Sequence, residues 1–304
     1  MTELKKDFYH KSVLVNEVLE YLKPQPGKTY VDATFGGGGH TRAILEAEPK
    51  CKVIAFDWDK VAIETNKPQL EEEFGDRLEV IWGNFAQMYK LLRKEGIFQI
   101  DGVLADFGTS QHQIFEQAGF SVHKDTPLDM RMSPSHQRLT AEEVVNKGSL
   151  KLLRDIFWKY GEEKNTKRIV DAIIEMREKT RIKTTFQLVK LIESVSFKSS
   201  REKIHPATRV FQALRIYVND ELGNIDSFLK ASVKMVRPGG RIVCISFHSL
   251  EDRPVKQFFR EQEQLGILTV LSKKSVTASE QELEANRSSR SAKLRAAEVL
   301  KNPE

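Results

Sequence analysis

Only two cysteines, Cys51 and Cys244, occur in 304 residues, too few for a disulfide framework or for zinc-type ligand spacing. Each lies in or beside an apolar strand-like run, which suits a buried thiol in a reducing compartment. No stretch approaches the roughly 18 apolar residues that a membrane span requires, and the opening Met1-Thr-Glu-Leu-Lys-Lys-Asp has no signal-peptide apolar core. The expected location is therefore the cytoplasm, with no membrane partner and no metal. No internal repeat is visible, and neither sign of charge dominates. The formal charge of +5 and a pI near 9.0 permit a nucleic-acid partner without requiring one.

What the chain does have is a run of four glycines, Gly36 to Gly39, in Thr29-Tyr-Val-Asp-Ala-Thr-Phe-Gly-Gly-Gly-Gly-His40. An apolar β-prone run breaks into these glycines and then into a helix, and about 20 residues on Val53-Ile-Ala-Phe ends in Asp57, the layout of a nucleoside-binding βαβ unit. Glycine admits backbone to a ligand with no Cβ in the way, and Asp57 is placed to accept ribose hydroxyls. The third glycine of the dinucleotide pattern is missing. Reading Gly36-x-Gly38 puts Thr41 there, and reading Gly37-x-Gly39 puts Arg42 there. Asp32, just ahead of the glycines, would repel a pyrophosphate but attract a cation. Both facts favour S-adenosylmethionine over a nicotinamide cofactor.

Apolar runs at Tyr30–Thr34, Val53–Phe56, Leu78–Trp82 and Gly102–Ala105 read as parallel strands, preceded by an amphipathic helix over Val13–Leu22 that Pro24 and Pro26 end. The predicted class is α/β, a Rossmann-like core with an inserted all-helical domain. The alternation stops near Phe115. Capping-box patterns at Thr140-x-x-Glu143 and Thr184-x-x-Gln187 then open helices, and a helix stripe from Leu222 leads to a last strand at Arg241–Ser246. The expected division is 1–114 for the first part of the core, 115–215 for the helical insertion, and 216–304 for the second part of the core with a basic C-terminal tail.

A doubly wound sheet binds its ligands beyond the carboxyl ends of its strands, so the residues just past each run are the candidates for chemistry. Asp106-Phe-Gly-Thr-Ser110 comes directly after the fourth strand. Asp106 either accepts the N–H of an exocyclic amine, whose conjugated lone pair attacks poorly until acceptors hold its hydrogens, or caps the next turn. In Ser246-Phe-His-Ser-Leu-Glu-Asp-Arg253, His248 either contacts a base or takes up the released proton, or it caps and packs. His205-Pro-Ala-Thr-Arg209 and the helix through Arg215 to Asn219 mix cations, aromatics and amides suited to unpaired RNA, with Phe211, Leu214 and Val218 falling on a core face. Leu128-Asp-Met-Arg131-Met reads as an ordered loop over the site or as a core segment with an internal ion pair. Arg287-Ser-Ser-Arg290-Ser-Ala-Lys293-Leu-Arg295 carries four cations and no acid, a strip suited to phosphates or simply a solvated run.

Together with His10-Lys-Ser-Val-Leu and Pro127-Leu-Asp-Met-Arg-Met132, these blocks closely resemble the RsmH family, also called MraW, bacterial methyltransferases of the N4 amine of a cytidine in the decoding region of 16S ribosomal RNA. The resemblance covers nearly the whole chain. It implies cofactor contacts at Gly38, Gly39, His40, Asp57, Phe85, Asp106 and Gln113, with Phe85 packing on adenine. It implies 16S ribosomal RNA or the small subunit as partner, and the substrate-side candidates are Arg131, Arg209, Arg215, Asn219, Arg290, Lys293 and Arg295. After the fourth strand the relatives usually read Asp-Leu-Gly-Val-Ser-Ser-Pro-Gln, whereas this chain reads Asp106-Phe-Gly-Thr-Ser-Gln-His-Gln113, so Gln111 stands as an alternative to Gln113. A homodimer is allowed and not demanded. The competing classes are a nicotinamide dehydrogenase, a non-catalytic ribosome-assembly protein on the same fold, and a DNA amino-methyltransferase, which would carry a Pro-Pro-Tyr motif absent here.

Overall fold

The computed structural model describes residues 12–108, 117–196 and 205–303. In chain order it contains α1 (Val15–Leu22), β1 (Thr29–Asp32), α2 (Gly39–Ala47), β2 (Lys52–Asp57), α3 (Lys60–Phe74), β3 (Leu78–Trp82), α4 (Met88–Lys94) and β4 (Ile100–Asp106). Five helices come next: α5 (Ala141–Lys147), α6 (Leu150–Gly161), α7 (Thr166–Lys179), α8 (Thr185–Val195) and α9 (Thr208–Asn219). Then come α10 (Glu221–Met235), β5 (Val236–Ser246), α11 (Ser249–Gln264), β6 (Leu268–Val270), α12 (Glu280–Ala285) and β7 (Lys293–Val299). The first helix starts two residues later than its apolar spacing suggests, because Leu14 sits at φ 54 in the left-handed region and cannot belong to it.

Residues Met1–Ser110 and Leu222–Glu304 form one compact unit, and Gln111–Glu221 form the other. The first contains a seven-stranded sheet of order β3-β2-β1-β4-β5-β7-β6, parallel except for β7. Side chains alternate along each strand, and both faces are apolar. Val31, Ile54, Phe56, Val103 and Cys244 pack on one side, while Tyr30, Val53, Ala55, Leu104 and Val243 pack on the other. That pattern requires helices on both faces, as in a doubly wound fold. The order reverses between β1 and β4, which pair directly, so the crevice at their carboxyl ends is the expected ligand position.

The basic tail requires correction. Lys293–Val299 is an antiparallel strand between β5 and β6, with Lys293 opposite Ser246 and Arg295 opposite Cys244. Leu294, Ala296, Ala297 and Val299 are fully buried. Reading the cations as one phosphate-contacting strip or solvated run overlooked the apolar residues that succeed and alternate with them, and Arg295 is buried in the strand. Arg287 and Arg290, in the 3-10 turn Arg287–Ser291, are exposed, and Lys293 is partly exposed.

In the second unit no strand occurs among the described residues. Thr140 and Thr184 each accept the N3 backbone N–H, and Glu143 and Gln187 reach back, so both capping boxes form. Phe157, Ile169, Ile173, Leu188, Ile192, Phe211 and Leu214 make its core. Helix α6 meets α9 at Gly161, where an added Cβ would lie 2.6 Å from the Arg209 carbonyl oxygen. A division at 215/216 would cut α9, which runs unbroken to Asn219.

Candidate active site

The glycine turn is held by two carboxylates. Asp32, fully buried at the end of β1, accepts the Thr34 amide at 3.1 Å and the Thr41 hydroxyl at 2.7 Å. Asp57, ending β2, accepts the Gly36 amide at 2.7 Å through one oxygen and the Asp59 amide at 2.9 Å through the other. Gly36 and Gly38 have φ of 49 and 76, values that favour glycine. A Cβ on Gly39 would collide with the Ser12 hydroxyl. Gly38 donates its amide to the Phe35 carbonyl at 2.7 Å and stands at the N-cap of α2, which starts at Gly39.

Three further elements complete the crevice. Phe85 opens a 3-10 turn after β3, and its ring lies 5.8 Å from both Phe107 and Phe228, whose own centroids are 5.6 Å apart. Asp106 ends β4, donating its amide to the Thr34 hydroxyl at 2.8 Å. Its Oδ2 is 4.0 Å from His40 Nδ1, and its Oδ1 is buried with no hydrogen-bond partner among the described residues. A buried acceptor left unpaired is unfavourable unless a ligand supplies the donor. His248 occupies the N-cap of α11, its Nε2 3.1 Å from Glu251 Oε1, while Glu251 Oε2 accepts the Phe247 and His248 amides at 2.8 and 3.3 Å. Sequence reading passed over Glu251, although its spacing from His248 is that of a capping box.

A donor carrying a ribose, a flat base and positive charge fits these residues. Asp57 has lone pairs left for hydroxyls, Phe85 offers a half-buried ring, and Asp106 offers an unmatched acceptor. Gln113 and its alternative Gln111 lie outside the described residues.

Burial pushes both acids up to about 7: for Asp57 against the relief of its two backbone hydrogen bonds, for Asp106 against the relief of nearby His40, with Asp32 and Glu251 adding repulsion. An acid harder to ionise folded than unfolded binds its proton more tightly in the native state. Its contribution to stability is complete below the unfolded value of 3.8 and is lost as pH rises through about 7. The ligand-free protein should therefore melt at a lower temperature at about pH 8 than at about pH 5, and the double variant Asp57→Asn/Asp106→Asn should lose most of that difference. Equal slopes in a calorimetric pH series would count against the burial of these carboxylates.

On the substrate side, the cations divide by whether they are already paired. Arg295 makes two hydrogen bonds to Asp252, at 2.6 and 3.0 Å. In the helical unit Arg131 grips Asp129 at 2.7 and 2.8 Å, and Arg215 grips Glu221 at 2.8 and 3.1 Å. Asn219, almost fully buried, accepts the Met132 amide and donates to the Met130 and Arg215 carbonyls, all at 2.8 Å. The Asp129-Met-Arg131 segment thus carries the internal ion pair, around a buried Met130 at φ 64. His205 Nδ1 accepts the Ala207 amide at 3.2 Å, and its Nε2 lies 3.2 Å from Glu193, so His205 closes the start of α9. Arg209, Arg290 and Lys293 have no such partner among the described residues. No described helix is long and apolar enough to cross a membrane.

The MraW methylase family matches residues 7–300. A ribosomal RNA small subunit methyltransferase H from Carboxydothermus hydrogenoformans is 44% identical over 311 residues, covering 97% of this chain and 99% of its own. The protein of the same name from Geotalea uraniireducens is 45% identical over 312 residues, with the same coverage. Among solved structures, an rRNA methylase from Streptococcus thermophilus aligns at 13% identity with a TM-score of 0.42, covering 94% of each chain.

Proposed function

Because this chain belongs to the MraW methylase family, an S-adenosylmethionine-dependent group, we propose that it methylates the exocyclic N4 of a cytidine in the decoding region of 16S ribosomal RNA. The observation that carries this reading is Asp106 Oδ1, a buried acceptor without a partner among the described residues, at the carboxyl end of β4 beside the strand-order reversal. The full-length likeness to small-subunit rRNA methyltransferases supports the substrate class.

When bound, S-adenosylmethionine supplies a methyl group already activated on a positively charged sulfur. Gly38, Gly39 and His40 frame its place, Asp57 accepts the ribose hydroxyls, and Phe85 packs against the adenine. The target cytosine must leave its stack, since N4 of a stacked base cannot be presented in line with the methyl. Asp106 accepts one amine N–H and thereby turns the nitrogen lone pair out of conjugation. It needs to be a good acceptor rather than a strong base, because the methylated ammonium gives up its proton easily. Alignment supplies most of the acceleration. His248, held by Glu251, is proposed to contact the base.

Among the substrate-side candidates, Arg290 and Lys293 come at the carboxyl end of β5, because β7 starts opposite Ser246. Arg287 lies in the same turn. We assign these three, with Arg209, to RNA phosphates, and the paired Arg131, Arg215, Asn219 and Arg295 to holding the segments that carry them. Replacing Arg287, Arg290 and Lys293 by alanine should flatten the log–log salt dependence of RNA binding by about 2, near 0.7 for each lost phosphate contact. Filter binding across a salt series measures it, and an unaltered slope would remove the strip from the interface. The reaction itself is tested by incubating the protein with radiolabelled cofactor and small ribosomal subunits and mapping the label. Label on a ring carbon or a 2′-oxygen would overturn the assigned chemistry.

A further inference from the structure

The His40 ring is the neighbour of Asp106 whose tautomer the structure determines. His40 is only 4% exposed, and its Nε2 lies 2.8 Å from the Val13 carbonyl oxygen. A carbonyl can only accept, so Nε2 must carry hydrogen. In the neutral ring Nδ1 is then a bare lone pair, and it faces Asp106 Oδ2 at 4.0 Å. Val13 is itself fixed: the next amide, Leu14, donates to Glu282 at 2.7 Å, and Asn286 donates to the Ser12 carbonyl at 3.3 Å. The ring thus cannot easily turn over to offer Nδ1–H to another partner. Asp106 is otherwise faced by two acids, Asp32 from β1 and Glu251 from α11. His40 acts on Asp106 in the direction opposite to both.

We infer that His40 is the positioning residue for Asp106, its Nδ1 sharing with Oδ2 the proton that Asp106 takes from the methylated amine. The inference rests on the acceptor role assigned to Asp106 above. In the step concerned the N–H bond of the newly methylated, positively charged base breaks and its electron pair stays on nitrogen. The proton bonds to Asp106, which becomes a neutral acid. Relocation of that one proton to His40 Nδ1 gives the carboxylate–imidazolium form, and either form returns it to water with product release. Charge and atoms balance without any further reactant.

The two hydrogen-bonding atoms of His40 can be mimicked separately. Gln at this position retains a donor near the Nε2 place, toward Val13, and removes the titratable Nδ1. Asn retains a polar atom near the Nδ1 place and gives up Val13. The ligand-free protein, labelled with carboxyl-13C aspartate, is titrated by NMR, with Asp106→Asn identifying the resonance. His40→Gln should raise the Asp106 midpoint by about one pH unit, since the His40 ring acts to lower it. In single turnover it should lose about tenfold near neutrality and recover as pH rises, whereas a purely structural defect would depress the rate equally at every pH. His40→Asn, which likewise has no ionisable nitrogen, should move the Asp106 midpoint in the same direction and in addition lose thermal stability through the lost contact with Val13. An unmoved Asp106 midpoint in His40→Gln, with N4 methylation still following Asp106, overturns the inference and leaves the proposed reaction standing. A moved midpoint in a protein that places no label on N4 sinks the reaction and leaves the pair. Should His40→Gln fail to fold, 15N–1H correlation of the wild-type imidazole decides: a neutral ring bearing hydrogen on Nδ1 overturns the inference.

Discussion

Asp106→Ala is expected to lower methyl transfer about a thousandfold while RNA affinity changes by no more than about twofold, the size of effect seen when one positioned polar group at a reacting centre is removed. The asymmetry comes from position. Asp106 Oδ1 is buried and unmatched at the end of β4, and the Asp106 backbone amide, which holds Thr34, is retained in the variant. Removing the side chain leaves the glycine turn in place because Asp32 and Asp57 hold it independently. Single-turnover rates with a saturating cofactor, alongside RNA binding without it, separate the two effects. The same experiment distinguishes an enzyme from an assembly factor that keeps the fold. A variant with unchanged turnover would remove Asp106 from the chemistry, and one that also failed to bind RNA would make it structural.

Arg295→Ala is expected to destabilise the protein by about 3–5 kcal/mol, because it strands Asp252 as a buried charge without its partner. Both side chains are largely enclosed, at 10% and 13% exposure, and the contact is bidentate. The double variant Arg295→Met/Asp252→Leu should recover most of the loss, since no charge then remains to be solvated. Urea unfolding of the two single variants and the double variant completes the cycle. In the same proteins the salt slope of RNA binding should remain at the wild-type value. A lower slope in Arg295→Ala, with little loss of stability, would return this residue to the RNA surface.

The difference between Arg295 and Arg290 shows what one-dimensional pattern can and cannot convey. Both stand in one basic run, yet Arg290 lies on an exposed turn and Arg295 within a sheet. Local signals were legible wherever the cause is local. The two threonine capping boxes and the glycine turn followed by Asp57 each depend on atoms a few residues or one strand apart. The Rossmann-like α/β class was legible for the same reason, because apolar alternation reports burial on both faces. Antiparallel insertion of β7 was not, since it depends on β5 and β6 leaving a lane between them. The hold on Val13 was also hidden: it depends on Glu282 and Asn286, contacts that span 268 and 274 residues. Paired arginines such as Arg131 and Arg215 were visible as cations, but their carboxylate partners were assigned only by the fold.

The place of β7 in the sheet has a consequence for biosynthesis. A ribosome releases β5 and β6 before the strand that must lie between them, so for that interval two lanes of backbone amides and carbonyls wait unpaired. Chains emerge at roughly 5–20 residues per second, long enough for such edges to meet other nascent polypeptides. Until Lys293–Val299 arrives, the turn bearing Arg287 and Arg290 has no anchor beside Ser246. A newly made copy should therefore seat that basic turn beside Ser246 only once Lys293–Val299 has been added.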